Sequence, residues 1–187
     1  MAQIDRLQAK KRRRAQKMRR QWKKYEATGK QGHLKAFRIH RRAVKKLLRL
    51  IDQASRPSPN FAYAEFNTKD GTPVPESAYK GLDHLCQTYL EPLRAKFGPV
   101  SITSGYRHPS YNAAVGGVSN SVHIYDFPGR DGSAVAADVV CARGNPYEWA
   151  QFLDHLGAAG VGTYPRHGFV HVDNRDRMGW PTSRWTG

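Results

Sequence analysis

The order of elements in this sequence predicts an α+β fold, with helices packed on a small antiparallel sheet and a basic helical hairpin in front. Three observations carry that expectation. Lys and Arg crowd the first 53 residues, where apolar side chains recur at helical spacing. The remainder is electrically balanced and mixes short alternating stretches with amphipathic ones. Clusters of Gly, Pro and Ser mark the breaks.

The hairpin comes first. Residues 3–26 read as a helix with Ile4, Leu7, Ala15, Met18, Trp22 and Tyr25 near helical spacing. Thr28 to Gly32 breaks it. A second helix over about 34–53 repeats the pattern with Leu34, Phe37, Val44, Leu47, Leu48 and Ile51, so residues 1–53 form an αα-hairpin. Residues 54–60, with Pro57 and Pro59, read as a linker to a domain over 61–187. In that domain Leu82, Leu85, Tyr89, Leu90 and Leu93 mark a helix ending near Lys96, before Gly98-Pro99. Val100–Thr103 and Val135–Cys141 read as strands, and a short helix is expected around 111–115. Pro146–Leu156 reads as a helix, with Trp149, Phe152 and Leu156 on one face. Gly160–Tyr164 and Phe169–Asp173 read as a hairpin of strands.

The charge of +16 sits in the arm. Residues 1–53 hold 19 Lys/Arg against 3 Asp/Glu, whereas residues 54–187 hold 12 of each. Such an arm calls for an anionic partner: nucleic acid, anionic lipid or an acidic cell-wall polymer. Cys86 and Cys141 are too few for a disulfide framework and read as buried free thiols. No apolar run can cross a membrane, and Lys/Arg occupy the place of a secretory signal's apolar core. The expectation is a cytoplasmically made, soluble, monomeric product that other means deliver if it acts outside.

His123, Asp138 and His171 carry the chemistry. A lone histidine is ordinarily a hydrogen-bonded core or surface residue, and an aspartate at a strand end is ordinarily a turn residue. Jointly, two imidazoles and a carboxylate match a catalytic zinc site with a fourth position left for water. Strand alternation puts Phe169, His171 and Asp173 on one face, where Asp173 could orient a ligand, position water or accept a proton.

Ser101-Ile102-Thr103-Ser104-Gly105-Tyr106-Arg107-His108-Pro109, Tyr111-Asn112, Gly116-Gly117, Ser121-Val122-His123, Ala136-Ala137-Asp138 and His171-Val172-Asp173 occur in that order. Together they resemble the zinc D,D-peptidases, a family of D-alanyl-D-alanine carboxypeptidases and phage L-alanyl-D-glutamate endopeptidases that shares its fold with the hedgehog signalling domain. The resemblance spans roughly Phe61–Trp185. It implies zinc on His123, Asp138 and His171, with Arg107 stabilising an oxyanion or gripping a substrate carboxylate. Tyr106 and Ser121 are candidates for the substrate side. It further implies hydrolysis of peptidoglycan stem or cross-bridge peptides by a phage endolysin or virion-associated lysin.

Two departures from the family pattern stand out. Ile124–Ser133 lengthens the segment between His123 and Asp138 and reads as an inserted surface loop; Asp126 and Asp131 lack the Ala-Ala-Asp context of a ligand. Relatives carry a histidine or an acidic residue shortly before the last ligand, where this chain has Gly168 and Phe169. Asp173 is the expected substitute as general base, with His167 second. A zinc-stabilised binding or virion protein without catalysis is the alternative. For the arm, a cell-wall polymer is favoured over nucleic acid or lipid.

Overall fold

The structure, a computed structural model, describes residues 2–187. It divides into two compact units, up to Ser55 and from Arg56 onward. The expected hairpin is present, with only its Met1 outside the described residues: α1 (Ala2–Thr28) and α2 (Gln31–Ala54) are joined at Gly29-Lys30. Gly29 takes φ +62°, a value that suits glycine, and its N–H closes on the Tyr25 carbonyl. Trp22 packs its ring 4.9 Å from Phe37 across the hairpin. No side chain of α2 is fully buried, as expected of two amphipathic helices that share only one seam.

The second unit is α+β. Its first long element runs as α3 (Tyr79–Leu85), a π-helical stretch (Cys86–Leu90) and α4 (Glu91–Phe97). Pro92 explains the interruption: it has no N–H to give the preceding turn and its ring crowds the carbonyl there, so the chain widens by one residue. Leu82, Leu85, Leu90 and Leu93 are fully buried beneath the sheet. Part of the expected linker is docked here, because Glu91 accepts bonds from Ser58 Oγ (2.7 Å) and from the Asn60 N–H (2.9 Å).

The sheet contains β1 (Val100–Ser104), β2 (Ala136–Cys141), β3 (Gly160–Tyr164), β4 (Phe169–Asp173) and β5 (Ser183–Thr186), in the order β1-β2-β4-β3-β5. The first four strands pair antiparallel, as expected. β5 joins β3 in parallel and makes the sheet mixed; four residues near the chain's end give too short an alternation to read as a strand. Between β1 and β2 lies α5 (Pro109–Ala114). Between β2 and β3 lies α6 (Pro146–His155), capped by the Asn145 side chain with Glu148 returning to the Asn145 N–H, a capping box. One face of the sheet, with Ala137, Val139, Val161, Val170 and Val172, belongs to the main core together with Trp149 and Leu153 of α6. The opposite face carries the polar cluster described below.

The segment between His123 and β2 corrects the expectation of a surface insertion. Ile124 and Tyr125 are buried, and Tyr125 is among the largest fully enclosed side chains, its hydroxyl bonded to the Ala136 carbonyl. Only the later part, around Pro128 to Asp131, is mostly exposed. Cys86 and Cys141 are buried free thiols, each pushed up in pKa by burial.

Candidate metal centre

The site is written across one row of the sheet. Strand register sets Ser104 beside Asp138, Asp138 beside His171, His171 beside Gly162, and Gly162 beside Trp185. All five strands therefore contribute a position. Two glycines of β3 make the room. A Cβ on Gly160 would stand 2.2 Å from the Asp173 carboxylate, and one on Gly162 would stand 2.4 Å from the Trp185 indole.

His123 arrives from the loop before the insertion. Ser121 Oγ accepts its N–H (3.2 Å) and the Arg107 N–H donates to its carbonyl (2.9 Å). Arg130 ties the same loop, donating to the carbonyls of Asn120 (2.7 Å), Ser121 (2.8 Å) and Ile124 (3.3 Å). Its guanidinium lies 4.6 Å from the Phe127 ring centroid and 4.9 Å from that of Trp180. The long segment thus braces the loop that carries His123.

The three side chains meet. His123 Nε2 is 3.2 Å from Asp138 Oδ1 and 3.2 Å from His171 Nδ1, and His171 Nδ1 is 2.9 Å from Asp138 Oδ1. Outer partners fix both tautomers. His123 Nδ1 faces the Gly105 carbonyl at 2.6 Å, and His171 Nε2 faces Asp173 Oδ2 at 2.9 Å; each partner only accepts, so each of those nitrogens carries the proton. In the neutral imidazoles, Nε2 of His123 and Nδ1 of His171 are then bare lone pairs, converging on a carboxylate oxygen. Three acceptors this close need a proton or a cation between them.

A cation fits. Tetrahedral zinc bonds of about 2.0–2.1 Å place neighbouring ligand atoms about 3.3 Å apart, close to the observed spacings. Burial disfavours the imidazolium at both histidines and lowers the pKa of His123. At His171, hydrogen bonds to Asp138 and Asp173 overcome the same burial and raise the pKa to about 9. Burial also opposes ionisation of Asp138, yet His123 and His171 hold its carboxyl well below the usual carboxylate range. The proton attracted to His171 occupies the place a metal would take.

Around the trio, Arg107 donates from Nη2 to Asp138 Oδ2 (2.7 Å) and from Nε to Ser104 Oγ (2.9 Å), so it stands beside the cluster as expected. Asp173 does not present a free carboxylate. It is fully buried, bonded to His171 and gripped by Arg175 through Nη2 (2.6 Å) and Nε (2.9 Å to Oδ1). These bonds, with the charges of His171 and Arg175, outweigh burial and hold its pKa low. Asp173 was the expected general base; here its carboxylate is taken up by His171 and Arg175, an arrangement that suits orienting the His171 imidazole. His167 is exposed in the β3–β4 turn, beside the rings of Tyr164 and Phe169, and does not line the cleft. Tyr106, expected at the substrate, is buried in the core with its hydroxyl on Asp126 (2.9 Å). Ser121 does line the cleft. Asp126 and Asp131 are both outside the cluster.

The cleft over the trio encloses about 650 Å³. Its lining includes Arg107, Asn120, Tyr164, Arg175, Trp180 and Trp185. Trp185 donates from Nε1 to the Tyr164 hydroxyl (2.8 Å), and its ring lies 5.1 Å from that of His171. Sequence reasoning missed Tyr164, Arg175, Trp180 and Trp185. The one available signal was the Gly-x-Gly of β3, which marks close approach from the neighbouring strands.

A buried cluster of two imidazoles and a carboxylate, open to a cleft at the edge of an α+β core, defines a protein able to hold a catalytic metal. The chain belongs to the peptidase M15 family, whose profile matches residues 59–173, more than half its length. Members are metal-dependent peptidases. The match includes all three cluster residues and ends at Asp173, so the Arg175, Trp180 and Trp185 wall lies beyond it. No curated protein and no solved structure matches the chain.

Proposed function

We propose that this chain is a zinc peptidase that cleaves stem or cross-bridge peptides of peptidoglycan, acting as a phage endolysin or virion-associated lysin. The observation that carries it is the convergence of three donor atoms, two of them imidazole nitrogens whose outer N–H groups are held from behind, at the floor of an open cleft. His123, Asp138 and His171 would hold the ion, and nitrogen and carboxylate donors suit zinc. Zinc held there would supply Lewis-acid polarisation and a water acidified toward neutrality. Asp173 and the Gly105 carbonyl keep the two imidazoles turned inward. The Arg107 guanidinium lies where it can stabilise a developing oxyanion or bind a terminal carboxylate. The Tyr164 oxygen accepts from Trp185, which leaves its own O–H to donate into the cleft.

One observation favours a second reading, a zinc-stabilised binding protein without turnover. Among the described cleft-lining residues there is no carboxylate or imidazole beyond the trio itself, hence no evident proton acceptor. Metal analysis with turnover of purified cell-wall fragments separates the two. The expected result is one zinc per chain, with activity abolished by chelation and by His123→Ala. Stoichiometric zinc with no cleavage of any peptidoglycan chemotype would establish the binding protein, and absence of bound zinc would sink both readings.

A further inference from the structure

The mid-section of the hairpin contains a groove of about 480 Å³ between α1 and α2, and its walls are cationic. Lys10, Arg13, Arg14 and Lys17 supply one wall, and Lys46 faces them from α2. On α1 these positions recur one helical turn apart, about 5.4 Å, which strings the charges along the groove. Ala43, Leu47 and Leu50 form an apolar floor. Among the described residues no acidic side chain lines the groove, and the hairpin's acidic residues, Asp5, Glu26 and Asp52, fall near the helix ends. Holding five like charges together costs free energy that a polyanion laid along them would relieve.

We infer that this groove binds the phosphodiester polymer of a bacterial cell wall, an inference that rests on the peptidase reading above. A wall hydrolase acts on an insoluble substrate, and the anionic polymer attached to that substrate would retain it there. Two rival surfaces fit the hairpin less well. Single-stranded nucleic acid is gripped by stacking bases on open aromatic faces; Trp22 is 39% exposed, but its ring already packs on Phe37 and Tyr25 and it does not line the groove. A bilayer takes up one broad apolar face; on α2 the exposed apolar side chains are split, with Ile39 and Leu50 on one side and Leu48 on the other, and Leu50 floors the cationic groove. Duplex DNA matches the charge alone.

The test is sedimentation of the full-length, metal-loaded chain with purified walls, before and after hydrofluoric acid extraction of their phosphodiesters. Duplex DNA and phosphatidylglycerol vesicles are measured at the same salt. Intact walls should bind at least tenfold more tightly than extracted walls, DNA or vesicles. A fourfold rise in salt costs about threefold per neutralised phosphate, so full engagement of the groove should weaken binding on the order of a hundredfold. The variant Lys10→Gln/Arg13→Gln/Lys17→Gln/Lys46→Gln should lose more than tenfold in wall binding and keep its helicity by circular dichroism. Its cleavage of a soluble stem peptide should be unchanged. Lys10→Arg/Lys17→Arg/Lys46→Arg should bind like wild type. Equal binding to intact and extracted walls, tighter binding to DNA or vesicles, or full binding by the Gln variant would overturn the inference. Cleavage of soluble peptide without wall retention would sink this inference alone; wall retention without cleavage would sink the peptidase reading alone.

Discussion

Asp173→Asn separates an orienting carboxylate from a catalytic base. The substitution keeps the volume, which matters because Gly160 leaves room for this side chain and little more. Asp173 accepts from His171 Nε2 on one oxygen and from Arg175 on both. An asparagine has a single acceptor oxygen. If that oxygen turns to His171, its NH₂ meets the Arg175 donors; if it turns to Arg175, the NH₂ meets the His171 N–H. Either way one buried donor loses its acceptor, and the imidazole loses the negative charge that raises its basicity. Replacing the partner behind a metal-bound histidine typically costs 10–100-fold in metal affinity, about 1.4–2.7 kcal/mol.

The assay is competition for zinc against a chromophoric chelator, with kcat/KM for a stem peptide measured as zinc is raised to saturation. An orienting Asp173 gives weaker zinc binding and a rate that recovers substantially once the site is filled. Loss of a general base gives a different signature, an unchanged zinc affinity with a rate lower by about 10²–10⁴ at every zinc concentration. That second pattern would refute the assignment drawn from the Arg175 and His171 bonds.

Two further outcomes follow from the same geometry. In the metal-free protein the His171 pKa stands near 9 against an unfolded value of 6.5, so its stabilisation is complete below pH 6.5 and is lost as pH rises through 9. Urea unfolding of chelator-treated protein should lose about 3 kcal/mol over that interval, and zinc-loaded protein should not; equal metal-free stability at both ends would contradict the raised His171. Arg130→Ala removes the donors that hold the carbonyls flanking His123, together with the Phe127–Arg130–Trp180 stack, and should destabilise the fold by about 2 kcal/mol. Arg130→Lys should restore only part, for want of the planar fork; an unfolding midpoint unchanged in Arg130→Ala would show that the segment does not brace the loop.

Two of the metal-site candidates were legible from a short-range context that survives in sequence: Ala-Ala-Asp within β2, and His171 alternating with Phe169 and Asp173. Alternation says which face a side chain occupies and is silent on what waits there. It placed Asp173 beside His171 correctly, but Arg175, two residues on, turns back to take both oxygens, and only coordinates reveal that. Trp185 was hidden for a different reason. Its strand is four residues long and pairs in parallel with β3, a pairing set by distant chain segments. The segment after His123 was misread because its Pro, Gly and Asp content signals a loop, whereas Tyr125 inside it fills the core.

The charge of the site bears on what it can take. Asp138 faces Arg107 and Asp173 faces Arg175, so with neutral imidazoles these four ionised groups cancel in two close pairs. A divalent cation entering among His123, Asp138 and His171 would therefore leave the cleft with an excess of two positive charges. Beyond these groups, the polar side chains among the described lining residues are hydroxyls, indoles and the Asn120 amide, none of them anionic. The excess would have to be met by the ligand at the open position, which favours a hydroxide or a substrate carboxylate over a neutral group. Carboxylates recur along peptidoglycan stem peptides, so the same imbalance that would favour an anionic nucleophile would also draw the chain's proposed substrate.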